Sequence, residues 1–363
     1  MADKTLPTIS NIAIGEAQRR IEERPTGPIE PPKASGAFEL NQAIIDAFPV
    51  KGTKLVSAVN YGRSLISTTA KIVVELLDGT TEEYFLKVFS DDVGRNMCEG
   101  EYESLKAIHA TSPNFVPKPY TWGKCRTLES DAYFLLEEFR NLKEQPAHPM
   151  SLATRVAELH QHSKSPTGKF GFPIKTCHGR IEQAVDQWDD SWAALFSRHL
   201  GHFISLAKAH FRWREFDIIA SLIVEKVVLR LLLPLQENGR FLKPSLMHGD
   251  CWDGNTAMDE ITGEAFVFDA CSFYGHNEYD IGNWRAPRHR VSAKEYVDCY
   301  LKHCPQSEPV EEWDARNLLY SLTFNIGNAI YIPGSQQRFV VFEDMTTLCK
   351  IFCQDELEMA LSL

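Results

Sequence analysis

Apolar and polar positions follow two different periods along this chain, and the change falls near residue 140. Before it, Phe38, Leu40, Ile44, Ile45 and Phe48 recur at the spacing of a helix face. Three strand-like runs follow, Lys54–Asn60, Ser67–Leu77 and Glu83–Phe89. Asp78-Gly79, between the second and third, is a strong hairpin signal, because a tight turn needs residues that tolerate positive φ. These runs predict an antiparallel meander. A helix is predicted over Asn96–Ala110, after which Pro117 and Pro119 break the chain and Tyr133–Phe139 reads as a further strand.

Beyond residue 145 helical spacing dominates, over Ser151–His162, Ile181–His210 and Phe216–Glu237. A short β-rich patch, Leu246–Asp269, interrupts these runs before helices resume. At the other end, a helix-like patch at Ile14–Glu23 leads into Pro25, Pro28, Pro31, Pro32 and Gly36. Proline at that density removes amide donors and predicts an extended or disordered tail. Strands first and helices later predict an α+β protein of two lobes around a cleft. The expected divisions are a tail at 1–37, an N-lobe of five strands at 38–140 and a helical C-lobe at 141–363.

Composition narrows the function classes. The 363 residues are 44% hydrophobic and 24% charged, as in a water-soluble globular protein. A net charge of −11 and a pI of about 5.6 repel phosphate backbones and anionic lipid, which argues against nucleic-acid and membrane partners. The most apolar stretch, Phe216–Leu235, carries Glu225, Lys226 and Arg230, a pattern for a core-facing helix and not a membrane span. Nine cysteines with no C-x-x-C pair suggest neither a disulfide framework nor a zinc site, and reduced thiols in the cytoplasm are expected.

The chemistry is concentrated in Met247-His248-Gly249-Asp250-Cys251-Trp252-Asp253-Gly254-Asn255, with Asp269 fourteen residues further on at the end of an apolar run. Phosphoryl transfer needs one carboxylate to receive or orient the proton of an attacking hydroxyl, and oxygen ligands to hold Mg²⁺ against a triphosphate. The spacing suits Asp250 as the base and Asn255 and Asp269 as metal ligands. Taken alone, Asp250 is a turn or cap residue; the combined spacing carries the functional reading. Upstream, Lys87 sits inside the strand Tyr84–Phe89, where a buried ammonium needs an anionic partner. Glu99, Glu101 and Glu103 on the next helix are candidates.

Together with Phe268-Asp269 and the run Ser272–Asp280, the motif His248–Asn255 resembles the fructosamine/ketosamine kinase family, relatives of the aminoglycoside and choline kinases. The likeness extends from about Phe85 to Asp280. Met97-Cys98-Glu99-Gly100-Glu101 is similar to the family's first-lobe helix, which selects Glu101 as partner of Lys87, and Trp188 and Trp192 match a tryptophan-bearing helix. The resemblance implies a protein-kinase-like fold binding ATP and Mg²⁺, with adenine held by backbone groups of Glu137 and Phe139. It implies Asp280 and His248 as structural supports of the loop, and it offers Trp252 and His276 as substrate contacts. The implied acceptor is a sugar hydroxyl of a ketosamine, either a small molecule or a glycated protein. Two alternatives remain: a kinase of another small hydroxylated metabolite, and a nucleotide-binding pseudokinase scaffold.

The chain departs from the family in several places, Ala270 for proline and Cys251 for leucine among them. The nucleotide loop, Val59–Ser64, has a single glycine, Gly62. The segment Ile281–Arg290 carries Arg285, Arg288 and Arg290 where the family is apolar and small. Leu322–Asn328 lacks the histidine and aromatic pattern common in relatives. The last two segments are expected to line the acceptor pocket, where arginines would recognise an anionic group or simply pair with nearby acids.

Overall fold

A computed structural model describes residues 34–362 except 63, 65, 91–92, 127–130, 144 and 333–335. The helix-like patch and proline cluster of residues 14–32 lie outside the described residues. Five antiparallel strands form the first sheet: β1 (Lys54–Asn60), β2 (Thr68–Glu75), β3 (Thr81–Ser90), β4 (Pro119–Lys124) and β5 (Ala132–Glu138), in the order β1-β2-β3-β5-β4. Strand alternation gives the sheet two dissimilar faces. Ala70, Ile72, Val74, Tyr84, Leu86, Phe134 and Leu136 pack with Ile44 and Phe48 into one small core. On the opposite face Lys87 stands beside Leu135 in register, and the helix Gly94–Thr111 covers the sheet with Met97, Cys98, Leu105 and Ile108.

β4 was not foreseen, since Pro117 and Pro119 mark a break. Proline is tolerated here because β4 is an edge strand and Pro119 its first residue, where no ladder donor is required. The predicted helix near residue 40 is reduced to Gln42–Asp46, capped by the Asn41 side chain accepting from the amide of Ala43.

The remainder is mainly helical. Pro149–His162, Trp192–Phe211, Trp313–Tyr331 and Gln337–Phe352 are its long helices among the described residues. The predicted helix Ile181–His210 starts only at Trp192; its first part contains β8 (Ile181–Glu182), which pairs with β7 (Cys177–His178) in a short hairpin. Phe216–Glu237 breaks into an α-helix, a π-turn at Ile223–Val227, another α-turn and a 3-10 turn at Pro234. Small sheets frame the loops between helices: β9 (Ser245–Leu246) pairs with β12 (Tyr274–Gly275), and β10 (Thr256–Asp259) lies between β11 (Ala265–Val267) and β6 (Leu142–Lys143). Among the described residues no helix is long and apolar enough to cross a membrane. All nine cysteines are free.

A buried ion pair anchors the second half. Arg316, fully buried on helix Trp313–Tyr331, donates through Nε and Nη2 to the Glu278 carboxylate at 2.9 and 3.2 Å. Its remaining donors meet the carbonyls of Ser307 and Pro309, so every charge is matched. Arg316→Leu leaves Glu278 buried without its counter-charge and is expected to cost about 3–5 kcal/mol. Urea unfolding would measure this; a change below about 1 kcal/mol would show that the pair adds little beyond its packing.

Candidate active site

Lys87 is the point where the two halves meet. Its side chain is almost fully buried, and its ammonium bonds Glu101 Oε1 at 2.5 Å and the carboxylate of Asp269. Glu137 Oε1 lies 3.7 Å away. Each partner comes from a different element: Glu101 from the helix over the sheet, Glu137 from β5, and Asp269 from just past β11. Three acids thus surround one ammonium. Burial pushes Glu101 up to about 8 and Glu137 up to about 7, against the pull of Lys87. Burial alone would lower Lys87, but Asp269, Glu101 and Glu137 hold it well above its ordinary range. Asp269 has φ +58°, a left-handed conformation that costs a non-glycine residue about 1–3 kcal/mol.

The loop 247–255 is held from behind. Asp280, fully buried, accepts the amide N–H of His248 at 2.7 Å and of Gly249 at 2.8 Å, and lies 3.1 Å from His160 Nε2. His248 Nδ1 accepts the Asp250 amide at 3.3 Å, so Nε2, 3.1 Å from the carbonyl of Phe268, is its donor. With both nitrogens engaged, His248 shapes the loop and has no free atom for acid–base work. Gly249 has φ +89°, and a Cβ there would run into the carbonyl oxygen of Cys271.

Three donors converge on the Asp250 side chain. Asn283 Nδ2 and His178 Nε2 reach Oδ1 at 3.0 and 3.2 Å, and Asn255 Nδ2 reaches Oδ2 at 3.1 Å. Burial raises its pKa, yet His178, with His248 and His289, together outweigh this and hold the carboxyl below its usual range. The surroundings of Asp250 thus favour its ionised form. Asn255 Nδ2 also donates to the Asp250 carbonyl, and among the described residues no donor is bonded to its Oδ1.

Sequence reading missed His178 and Asn283. His178 sits in the β7–β8 hairpin, and nothing in its spacing links it to Asp250. Room for its ring is made by Gly327, where a Cβ would lie 2.8 Å from His178 Nδ1. Asn283 was legible in principle: it follows Asp280 by one turn of the 3-10 segment Asn277–Arg285 and so shares its face. The side chain of Glu137 was also missed, since only its backbone had been singled out.

His276 is a correction. It is fully buried, its Nδ1 lies 2.8 Å from the Tyr320 hydroxyl and its Nε2 2.9 Å from Ser307 Oγ. A ring with both nitrogens engaged inside the core has no face for a substrate. Trp252 is half-buried and lies against His289, with ring centroids 5.0 Å apart. Phe139, just past β5, packs edge-on to Tyr61 at 5.1 Å and beneath the Lys71 ammonium at 4.0 Å. Gly62, with φ +86°, occupies the β1–β2 turn, whose Arg63 lies outside the described residues.

The donor set suits a hard divalent cation. Asn255 Oδ1 and the half-exposed Asp269 carboxylate offer oxygen, and the excess of acids around Lys87 attracts positive charge. Among the described residues no cluster of three or more His, Cys, Asp or Glu could cage a metal alone. Magnesium, which keeps waters and binds through few carboxylates plus phosphate oxygens, needs no such cage.

Comparison with known proteins identifies the family and the fold. A family model described as fructosamine kinase matches residues 60–338. The chain is 28% identical over 272 residues to a protein-ribulosamine 3-kinase, chloroplastic, of Oryza sativa subsp. japonica, covering 74% of this chain and 73% of that one. It is 30% identical over 220 residues to the ketosamine-3-kinase of Mus musculus, covering 54% of this chain and 67% of that one. A crystal structure from Thermobifida fusca described as a fructosamine-3-kinase superposes with a TM-score of 0.65 at 18% identity, over 86% of this chain and 100% of the other. The fold is the bilobal α+β kinase-like fold.

The acid-rich pocket has a consequence for stability. Glu101 and Glu137 hold their protons in the folded protein to higher pH than in the unfolded chain, where they titrate near 4.5. The folded state therefore binds more protons, and stability falls as pH rises from about 4.5 to about 8. Thermal melting of the ligand-free protein across this range is expected to show the decline, and Glu101→Gln to flatten it. An unchanged slope in the variant would mean that Glu101 is ionised throughout.

Proposed function

From the premise that the chain belongs to the fructosamine kinase family, we propose that it transfers the γ-phosphate of ATP to a sugar hydroxyl of a ketosamine, free or protein-bound. The supporting observation is that Lys87 and Glu101 of the sheet half meet Asp269 of the helical half, which also holds Asp250 beside Asn255. We divide the chain into an N-lobe at 38–140 and a C-lobe at 141–363, with the nucleotide between them. The relatives' names supply the acceptor class: protein-ribulosamine and ketosamine. A cytoplasmic location is part of this proposal, and the unpaired cysteines support it.

In this reading Asp250 Oδ1 and Oδ2 are fixed by His178, Asn283 and Asn255, so the carboxylate is aimed before substrate arrives. It accepts a hydrogen bond from the acceptor hydroxyl, orients that oxygen in line with the γ-phosphorus and takes its proton as the new P–O bond forms and the bond from the γ-phosphorus to the bridging oxygen breaks, releasing ADP. Lys87, pre-positioned by Glu101, neutralises charge on the α- and β-phosphates. Asn255 Oδ1 and Asp269 would hold Mg²⁺, which when bound offsets the charge of the triphosphate. Adenine would lie against the end of β5, bonded by backbone groups near Glu137 and Phe139, and Gly62 lets the β1–β2 turn approach the phosphates. Asp280 and His248 support the loop, and Trp252 offers a ring face beside the acceptor.

ADP formation measured with ribulosamine and fructosamine peptides, aminoglycosides and amino alcohols tests the acceptor class; turnover with only the latter two would refute the ketosamine assignment. Asp250→Asn is expected to lower kcat by about 10²–10⁴ while ATP still binds. His178→Ala removes one orienting donor and is expected to lower kcat by about tenfold, with little change in the KM for ATP, because it acts through Asp250. An Asp250→Asn protein that keeps wild-type turnover would remove the base.

A further inference from the structure

β1 is an edge strand of the first sheet, and the outer side of an edge presents backbone groups that no strand of the sheet satisfies. Over residues 58–62 that side is covered by the chain segment 34–38, which runs antiparallel to it. The Phe38 N–H donates to the Ala58 carbonyl at 3.0 Å, the Asn60 N–H to the Gly36 carbonyl at 2.8 Å, and the Ala34 N–H to the Gly62 carbonyl at 2.9 Å. The Asn60 side chain adds a second tie. Its Nδ2 lies 3.0 Å from the carbonyl oxygen of Ala37, 3.3 Å from that of Gly36 and 3.5 Å from that of Ser35. Successive carbonyls of an extended chain point in opposite directions, so three of them face one donor only where the backbone turns. Gly36 supplies that turn with φ +94°. Phe38, at the inner end of the segment, packs on the small core that contains Ile44 and Phe48.

The outer end of the segment reaches the β1–β2 turn, which is also tied inward. The Tyr61 N–H donates to the Thr69 carbonyl at 3.0 Å, and the Thr69 hydroxyl donates to the Tyr61 carbonyl. Thr69 pairs in register with Lys87, and the Tyr61 ring lies edge-on to Phe139 at 5.1 Å. Tyr61 and Gly62 are therefore held from two sides, by the strand next to Lys87 and by segment 34–38. A turn that closes on phosphates loses conformational freedom, and bonds made before the ligand arrives reduce that loss at binding.

Resting on the nucleotide site proposed above, we infer that segment 34–38 and the Asn60 side chain position the β1–β2 turn for the triphosphate. Asn60 is a positioning residue: it touches no phosphate and acts through Gly62, two residues further on. Its bonds raise the fraction of molecules whose turn is set for binding, and apparent affinity scales with that fraction. The effect falls on ATP and not on the ketosamine, which meets Asp250 in the helical half. By reciprocity, nucleotide bound at the turn stabilises the segment by the same factor.

Two measurements on the full-length protein test this. In the wild type, a non-hydrolysable ATP analogue with Mg²⁺ is expected to slow hydrogen exchange of the Ala34, Phe38 and Asn60 amides by about three- to tenfold, the worth of one neutral hydrogen bond. Steady-state ADP formation on a ribulosamine peptide is expected to show KM for ATP raised by about the same factor in Asn60→Ala, Ala34→Pro and Gly36→Ala, with KM for the peptide unchanged. Ala34→Pro removes the donor to Gly62, and Gly36→Ala strains the segment while its methyl group meets no atom within 4 Å, so neither disturbs the core. The exchange measurement needs no variant and is independent of folding defects. Analogue binding that leaves those amides unprotected, a KM for ATP unchanged in all three variants, or an equal rise in both KM values overturns the inference and leaves the kinase reading intact. A wild-type protein that neither binds the analogue nor forms ADP overturns the reading on which it rests.

Discussion

A lysine ammonium that has left water must be answered by negative charge, and in this protein the answer is supplied from three elements at once. Lys87 draws Glu101, Glu137 and Asp269 to one point, and Asp269 belongs to the helical half. The contact ties the sheet to the helical half through chemistry and not only through apolar packing. It also overshoots, since three acids face one base. Such a site is tolerated in a fold because protonation can relieve it, and it favours any ligand that brings divalent charge.

The loop that carries Asp250 solves a different problem. A carboxylate that receives a proton must be ionised, aimed and only partly solvated. Asp280 grips two amides of the loop, His248 spans it to Phe268, and Asn283 and His178 hold the side chain of Asp250. Behind them the Glu278–Arg316 pair, with His276 and Tyr320, locks the 3-10 segment to helix Trp313–Tyr331. Precision at Asp250 is thus inherited from a buried polar network.

Local patterns were readable from the chain wherever one period prevailed. β1 matches its predicted range, and the helix after β3 is displaced by only a few residues, because alternation and helical spacing are unbroken there. Reading failed where the period is mixed. Ile181 in β8 and Val185 in the irregular chain after it are buried one at a time, which mimics a helix face, and β4 hides behind its prolines. The residues of the chemical motif were legible because their roles fix their spacing. His178 was not, since its contact with Asp250 is made by tertiary folding across 72 positions of chain and leaves no local mark. His276 misled for the converse reason: it stands in the motif but points into the core.

The central claim is that Lys87 and Asp269 face a common triphosphate with Asn255 and Asp250. A crystal structure with Mg²⁺ and a non-hydrolysable ATP analogue tests it most directly. The account predicts the metal bonded to Asn255 Oδ1 and Asp269, and the Lys87 ammonium turned from Asp269 to the phosphates. A nucleotide bound elsewhere, with the Lys87–Asp269 contact undisturbed, would contradict it.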